Sequence, residues 1–313
     1  MINKTISFLL AITVADLSQA TTFILPPSDV DIVGQITTIT AGRDNTLLDI
    51  AREYDIGQNE ILHANPNVDR WLPDDNSEVV LPRRFILPNT KRSGLVINLP
   101  EMRLYYYPKP KTGETPVVIT HPVSVGRMDW DTPLGKTKIV SKKEDPSWRP
   151  PQSLKDEAIA AGDDPLPDVV EPGPDNPLGR YAMRLGIPGY LIHSTNKPYG
   201  VGMRVTHGCL RMYPEDIEQL FDKIPVNTPV QLVNQPIKIG WLAGSLFLEV
   251  HPPLEEDEEK YQDYMQSVLD IIADFLGDEK DSGRIDAVNT GLSGSALRQA
   301  VKEKSGIPVL ISR

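Results

Sequence analysis

The stretch Ile192-His193-Ser194-Thr195-Asn196, followed fourteen residues after its histidine by Thr206-His207-Gly208-Cys209-Leu210-Arg211, gathers two of the five histidines and the only cysteine of the 313-residue chain. A thiol becomes a useful nucleophile when an imidazole takes its proton or stabilises the thiolate. Gly208 frees the backbone beside Cys209 for close approach to a substrate, which makes the N–H groups of Gly208 and Cys209 candidate oxyanion donors. The chemistry this pattern points to is acyl transfer by a Cys–His pair. The same three side chains, His193, His207 and Cys209, also compose a candidate zinc triad or a buried polar cluster, although no CxxC or HxxxH spacing accompanies them. A lone cysteine excludes an intramolecular disulfide and any multi-cysteine metal site built from this chain alone.

Around this signature, residues 95–235 read as a strand-rich domain. Leu95 to Leu99, Arg103 to Tyr107, Val117 to Ile119 and His121 to Gly126 are β-rich runs, and turn residues from Pro108 to Gly113 separate two of them, as in an antiparallel meander. Eight prolines crowd Pro146 to Pro177, so this stretch is neither a regular sheet nor one long helix. A segment of that length just upstream of the reactive residues is expected to be a flap over the substrate.

Residues 36–88 have the order strand, helix, helix, strand. Ile36 to Thr40 is β-rich; Leu47, Ile50, Ala51 and Tyr54 recur at helical spacing after the capping candidates Asp44 and Asn45; Gly57 breaks the chain; Ile61 and Leu62 mark a second helix; and Val79-Val80-Leu81-Pro82 closes the block. Residues 240–313 read as a helical appendage. Its long helix begins at Glu255-Glu256-Asp257-Glu258-Glu259, with an apolar face of Tyr261, Tyr264, Met265, Val268, Leu269, Ile272, Phe275 and Leu276, and a shorter one covers Ser295 to Lys304. His63 and His251 have no partner near in sequence.

At the other end, Lys4 precedes an apolar run from Ile6 to Ala15, and Ser18-Gln19-Ala20 supplies a small-x-small pattern before Thr21. Residues 1–20 read as a secretory signal peptide cleaved after Ala20, since about ten apolar residues fall well short of the ~20 that span a bilayer. With 43 acidic against 32 basic residues the net charge is −11, which argues against nucleic acid as a partner.

The stretch from Thr40 to Tyr54, followed by Asn65-Pro66-Asn67-Val68-Asp69, resembles a LysM module, a family that binds the glycan of peptidoglycan and chitin. From His193 through Thr206-His207-Gly208-Cys209 the sequence resembles the signature of the L,D-transpeptidases of the YkuD fold, and its surroundings are similar to the ErfK/YbiS type. Asp131-Thr132-Pro133-Leu134-Gly135, Ile187-Pro188-Gly189-Tyr190 and Asn196-Lys197-Pro198-Tyr199-Gly200 belong to the same likeness. The resemblance implies an α+β, mainly β chain: a YkuD-type β-rich catalytic domain, a small βααβ LysM module and the helical appendage. It implies a Cys209 nucleophile that attacks the carbonyl between diaminopimelate and D-Ala of a peptidoglycan stem peptide. His193 is then the base, oriented by the backbone carbonyl of Ser194; His207 helps shape the site; Gly208 with Cys209 forms the oxyanion hole; and Arg211, Thr206, Asn196 and Tyr199 bind substrate. Many members carry Gly where this chain has Ser194, and often Asn where it has Arg211, whose fixed charge suits a substrate carboxylate. No metal or organic cofactor is implied. The acceptor is left open between the C-terminal lysine of an outer-membrane lipoprotein, which the resemblance favours, and a diaminopimelate amine. A hydrolase cutting such links and a non-catalytic peptidoglycan-binding scaffold are the competing readings.

Overall fold

The runs flanking the cysteine signature are mostly buried along their whole length, and the computed structural model, which describes residues 21–42, 44–130, 132–281 and 291–312, shows them as strands of one long sheet. The expected signal peptide lies outside the described residues. In chain order the elements begin with β1 (Thr21–Ile24), β2 (Ile32–Thr40), α1 (Leu47–Glu53), α2 (Gln58–Ala64) and β3 (Glu78–Ile86). The central part follows with β4 (Gly94–Asn98), β5 (Arg103–Tyr107), β6 (Val117–Pro122), β7 (Val125–Gly126), β8 (Gly135–Glu144), α3 (Gln152–Ala161), β9 (Tyr181–Leu185), β10 (Leu191–His193), β11 (Arg204–Thr206), β12 (Leu210–Arg211), α4 (Pro214–Phe221) and β13 (Pro229–Val233). The chain ends with β14 (Ile237–Leu242), β15 (Ser245–Val250), α5 (Tyr264–Asp281), α6 (Gly294–Glu303) and β16 (Val309–Leu310).

The large sheet has the order β1-β6-β5-β4-β13-β8-β9-β10-β12. Strands β4, β5 and β6 form the expected antiparallel meander. Its continuation depends on β13, which inserts parallel to β4 with Val230 opposite Leu95 and antiparallel to β8 with Val230 opposite Thr137. The active-site half of the sheet is therefore fastened to the meander by a strand about 135 residues downstream of β4, a pairing no local pattern announces. Leu95, Ile97, Leu104, Ile139, Met183 and Ile192 fill the core, capped by Ile217 and Leu220 of α4. Pro214 occupies the first turn of α4, where the missing N–H costs nothing.

The block of β2, α1, α2 and β3 has the expected order, with β2 and β3 antiparallel from Ile32↔Ile86 to Thr40↔Glu78. The strands are longer than expected because Val33 and Phe85, beyond the small core of Leu47, Ile50, Ile61 and Leu81, pack with Val96, Tyr105 and Val118 of the large sheet. Helix α1 is capped by Thr46, and not by Asp44 or Asn45: the Thr46 hydroxyl accepts from Asp49 N at 3.1 Å while Asp49 Oδ2 accepts from Thr46 N at 3.0 Å. Asn65 donates to Ile61 O and Val80 O and accepts from Val80 N, tying the end of α2 to β3.

The C-terminal part is corrected from helical to mixed. Strands β14, β15 and β16 form an antiparallel sheet. Ala243 and Gly244, at φ +50° and +75°, close a two-residue hairpin that demands left-handed backbone at both positions. Ile239, Trp241, Leu246, Leu248 and Val250 face Val268, Ile272 and Leu297 of the two helices. Glu255–Tyr261 is a 3-10 turn before α5, and Leu269, expected on the apolar face, is 40% exposed on the other side. Among the described residues no helix is long and apolar enough to cross a membrane.

Three parts of the chain meet over buried charges. Lys238 Nζ lies 2.8 Å from Glu101, 2.6 Å from Glu249 and 2.7 Å from Ile86 O, and Ile86 N donates to Glu249 at 2.6 Å. His251 is not without a near partner: its Nε2 lies 2.7 Å from Glu249 Oε1, brought there by the strand end two residues along. Fully buried Arg103 pairs with Glu60 of α2 at 2.7 Å. His121 Nδ1 sits 3.2 Å from Asp55 and 3.4 Å from Asp216. Burial alone would lower its pKa, but the two flanking carboxylates outweigh it and push His121 up to about 10.

Candidate active site

Paired positions on adjacent strands share a face of a sheet. Lys143 of β8 pairs with Ala182 of β9, Ala182 with His193 of β10, and His193 with Arg211 of β12. One register row thus runs Lys143, Ala182, His193, Arg211, and a second runs Ser141, Arg184, Leu191. All seven line one cavity of about 700 Å³, together with Cys209, Thr206 and His207. Parallel pairing of β10 with β12 is what brings the two halves of the signature into one site across the intervening loop.

His193 Nδ1 lies 2.6 Å from the Ser194 carbonyl oxygen. A carbonyl can only accept, so Nδ1 carries the proton and Nε2 is left as the acceptor. Burial, helped by the Arg211 charge, lowers the His193 pKa to about 4, against a partial opposing effect of the Ser194 carbonyl. Burial also raises the Cys209 thiol above its ordinary value, offset in part by the Leu191 backbone and Arg211. At neutral pH the two groups that line the cavity are therefore an uncharged thiol and an uncharged imidazole. Because the base is competent wherever His193 is neutral, Cys209 acylation should lose activity with an acid limb near pH 4, not near 6.5. A stopped-flow profile of thiol acylation from pH 3.5 to 9 checks this; an acid limb at 6 or above would mean that His193 is charged at rest.

The loop before Cys209 is held by hydroxyls. Thr206 Oγ1 donates to Cys209 O at 2.6 Å, and Thr132 Oγ1 donates to Gly208 O at 2.9 Å while accepting from Gly126 N at 3.0 Å. Gly208 has φ +90°, backbone that a side chain would strain. Cys209 Sγ faces Gly189 O at 3.6 Å. The Arg211 guanidinium reaches the cavity, and its buried Nε has no partner.

Three expected placements differ. Thr206 lines the cavity, but its hydroxyl is committed to Cys209 O. Asn196 donates to Asp175 O and lines a separate cavity of about 380 Å³ behind Ser194. Tyr199 sits on a 3-10 turn, with its ring 58% exposed and its carbonyl bonded to Gln58 of α2. Neither Asn196 nor Tyr199 lines the Cys209 cavity, because that turn carries the chain away from β10 toward α2. The zinc triad is not assembled either. The described groups with three ligand atoms within 4.8 Å of one another are Asp55, His121, Asp216 and Glu101, Glu249, His251, while His207 Nε2 is turned to Glu157 at 2.9 Å.

Glu157 went unnoticed in the sequence. It lies on α3, the one helix of the proline-rich segment, and bridges His207 to Arg127, whose Nη2 is 2.5 Å from its other oxygen. The segment closes on itself through Trp148 and Val170, which exchange two 2.8 Å backbone bonds, and through buried Asn176, which donates to Pro146 O at 2.8 Å. Trp148 and Leu154 line the cavity, and the segment expected as a flap is folded and joined to His207 through Glu157.

The sequence comparisons agree with this geometry. The family model for the YkuD L,D-transpeptidase catalytic domain matches residues 92–232. The chain is 40% identical over 301 residues to the probable L,D-transpeptidase YbiS of Escherichia coli strain K12, covering 94% of this chain and 93% of that protein. It is 38% identical over 307 residues to the probable L,D-transpeptidase ErfK/SrfK of Salmonella typhimurium, at 96% and 94% coverage. To the probable L,D-transpeptidase YcfS of E. coli K12 it is 34% identical over 313 residues, at 98% and 93%. With a cysteine and a histidine lining one cavity, and with relatives matched almost from end to end, the chain belongs to the L,D-transpeptidase family of cysteine-dependent acyltransferases.

Proposed function

We propose that Cys209 opens the bond between diaminopimelate and D-Ala of a peptidoglycan stem tetrapeptide and passes the acyl group to an amine. The Sγ proton goes to His193 Nε2 as sulfur attacks the carbonyl, with the Gly208 and Cys209 N–H groups facing the developing oxyanion. The C–N bond then breaks, and D-Ala leaves with the proton from His193. The acceptor amine attacks the thioester and gives its proton to His193; the C–S bond breaks and the leaving sulfur takes that proton, which restores the thiol. The observation that carries this reading is the 2.6 Å contact from His193 Nδ1 to Ser194 O, which frees Nε2 inside the Cys209 cavity.

The preferred acceptor is the C-terminal lysine of an outer-membrane lipoprotein, because the likeness to the ErfK/YbiS type extends over the whole chain; a diaminopimelate amine is the second. The block of β2, α1, α2 and β3 is proposed as a LysM module that binds glycan, and the protein as a periplasmic one whose signal peptide is removed after Ala20. Thr21 supports that cut. It is buried, with its main-chain nitrogen 3.3 Å from Asp55 Oδ2, so that cleavage would leave an ammonium facing a carboxylate.

Mass spectrometry of a disaccharide-tetrapeptide incubated with the protein, with and without a lysine-ended peptide, tests the proposal. D-Ala loss with a product joined to the lysine is expected. Release of free tripeptide alone would favour hydrolysis, and no change in the tetrapeptide would favour the scaffold.

A further inference from the structure

The cavity around Cys209 is electropositive in a protein of net charge −11: its lining includes Lys142, Lys143, Arg149, Arg184 and Arg211 and no carboxylate. Lys142 is committed elsewhere, donating to Phe221 O and lying 4.3 Å over the Phe221 ring. Lys143, Arg184 and Arg211 form no ion pair among the described residues, whereas Arg52, Arg92, Arg103, Arg127, Arg180 and Arg204 each hold a carboxylate. Unpaired cations gathered on one face of a sheet lower their mutual repulsion when anionic groups arrive.

Their spacing is set by the register. Arg211 and Lys143 end the same row, three strand spacings apart, or about 14 Å. Arg184 lies in the next row, beside Leu191. From His193 the row reaches Lys143 in two strand spacings, about 10 Å, the length of about three residues of extended peptide. We propose that Lys143 and Arg184 read the internal carboxylates of the donor stem, those not consumed in peptide bonds, and that the enzyme selects donors in which these are free acids over donors in which they are amidated. This rests on the transpeptidase reading above and adds to it a choice among stem peptides that Arg211, next to the reacting carbonyl, does not make.

The test compares two disaccharide-tetrapeptides, one with its internal carboxylates free and one with them as primary amides, by D-Ala release on the wild type and on a Lys143→Gln/Arg184→Gln variant. Both side chains are exposed, and a melting curve verifies the fold of the variant. Charge-assisted hydrogen bonds lead us to expect a wild-type kcat/KM preference for the free acid of about tenfold or more, expressed in KM. In the variant the ratio should fall to within about threefold of one. Equal use of the two donors by the wild type would overturn the assignment, as would a variant that keeps the full preference. Turnover of neither donor by the wild type would overturn the transpeptidase reading itself.

Discussion

On the proposed mechanism, Cys209→Ala should abolish D-Ala release from a stem tetrapeptide, by at least about 10⁴-fold, because a side chain that would form the covalent intermediate has no substitute in its site. The chain contains no second thiol to take over the role. The wild type should gain the mass of one carbapenem on incubation, at Cys209, and the variant none. His193→Gln should keep the thiol but lose its base, so acylation slows while Cys209 remains open to direct alkylation. A Cys209→Ala protein that still releases D-Ala at the wild-type rate would remove the thioester mechanism.

The second large effect is on stability. Lys238→Met leaves Glu101 and Glu249, 1% and 0% exposed at their side chains, without the cation that both of them contact. Removing one partner of a buried ion pair typically costs about 3–5 kcal/mol, because the remaining charge stays out of water uncompensated. Urea unfolding should show a lowered midpoint at unchanged slope. Adding Glu101→Gln and Glu249→Gln to Lys238→Met should recover much of the loss, since the penalty comes from the stranded charges and not from the missing methylenes. A midpoint equal to the wild type's would show that Lys238 is not holding this junction together.

The meander, and the meeting of His193 and Cys209 in one cavity, were legible in the sequence because both depend on short spacings: β-rich runs parted by turn residues, and a histidine and a cysteine in a recognisable signature. The insertion of β13 between β4 and β8 was not, because that pairing is satisfied only by residues far apart in the chain. The C-terminal strands did carry a period of two, from Ile237 to Trp241 and from Leu246 to Val250, but an Ala-Gly turn lacks the usual Asn-Gly or Asp-Gly marking. Asn196 and Tyr199 were drawn into the expected site by the family resemblance, whereas strand register decides what faces a cavity. The same register would have found Lys143 and Arg184, had the pairing of β8, β9 and β10 been known. Glu157 had no local signal, since its partner His207 lies fifty residues away.

Only seven residues separate β3 from β4, and the module across that link is bolted to the sheet by Arg103–Glu60, by His121 between Asp55 and Asp216, and by the shared packing of Phe85 with Tyr105. A tethered domain searches a volume set by its linker, but this one has no such freedom. Any polymer gripped by the module would be offered to Cys209 at one fixed offset and one angle. The molecule would then work as a caliper with its jaws locked: the stem peptides it reaches are chosen by their distance along the strand from the point of grip.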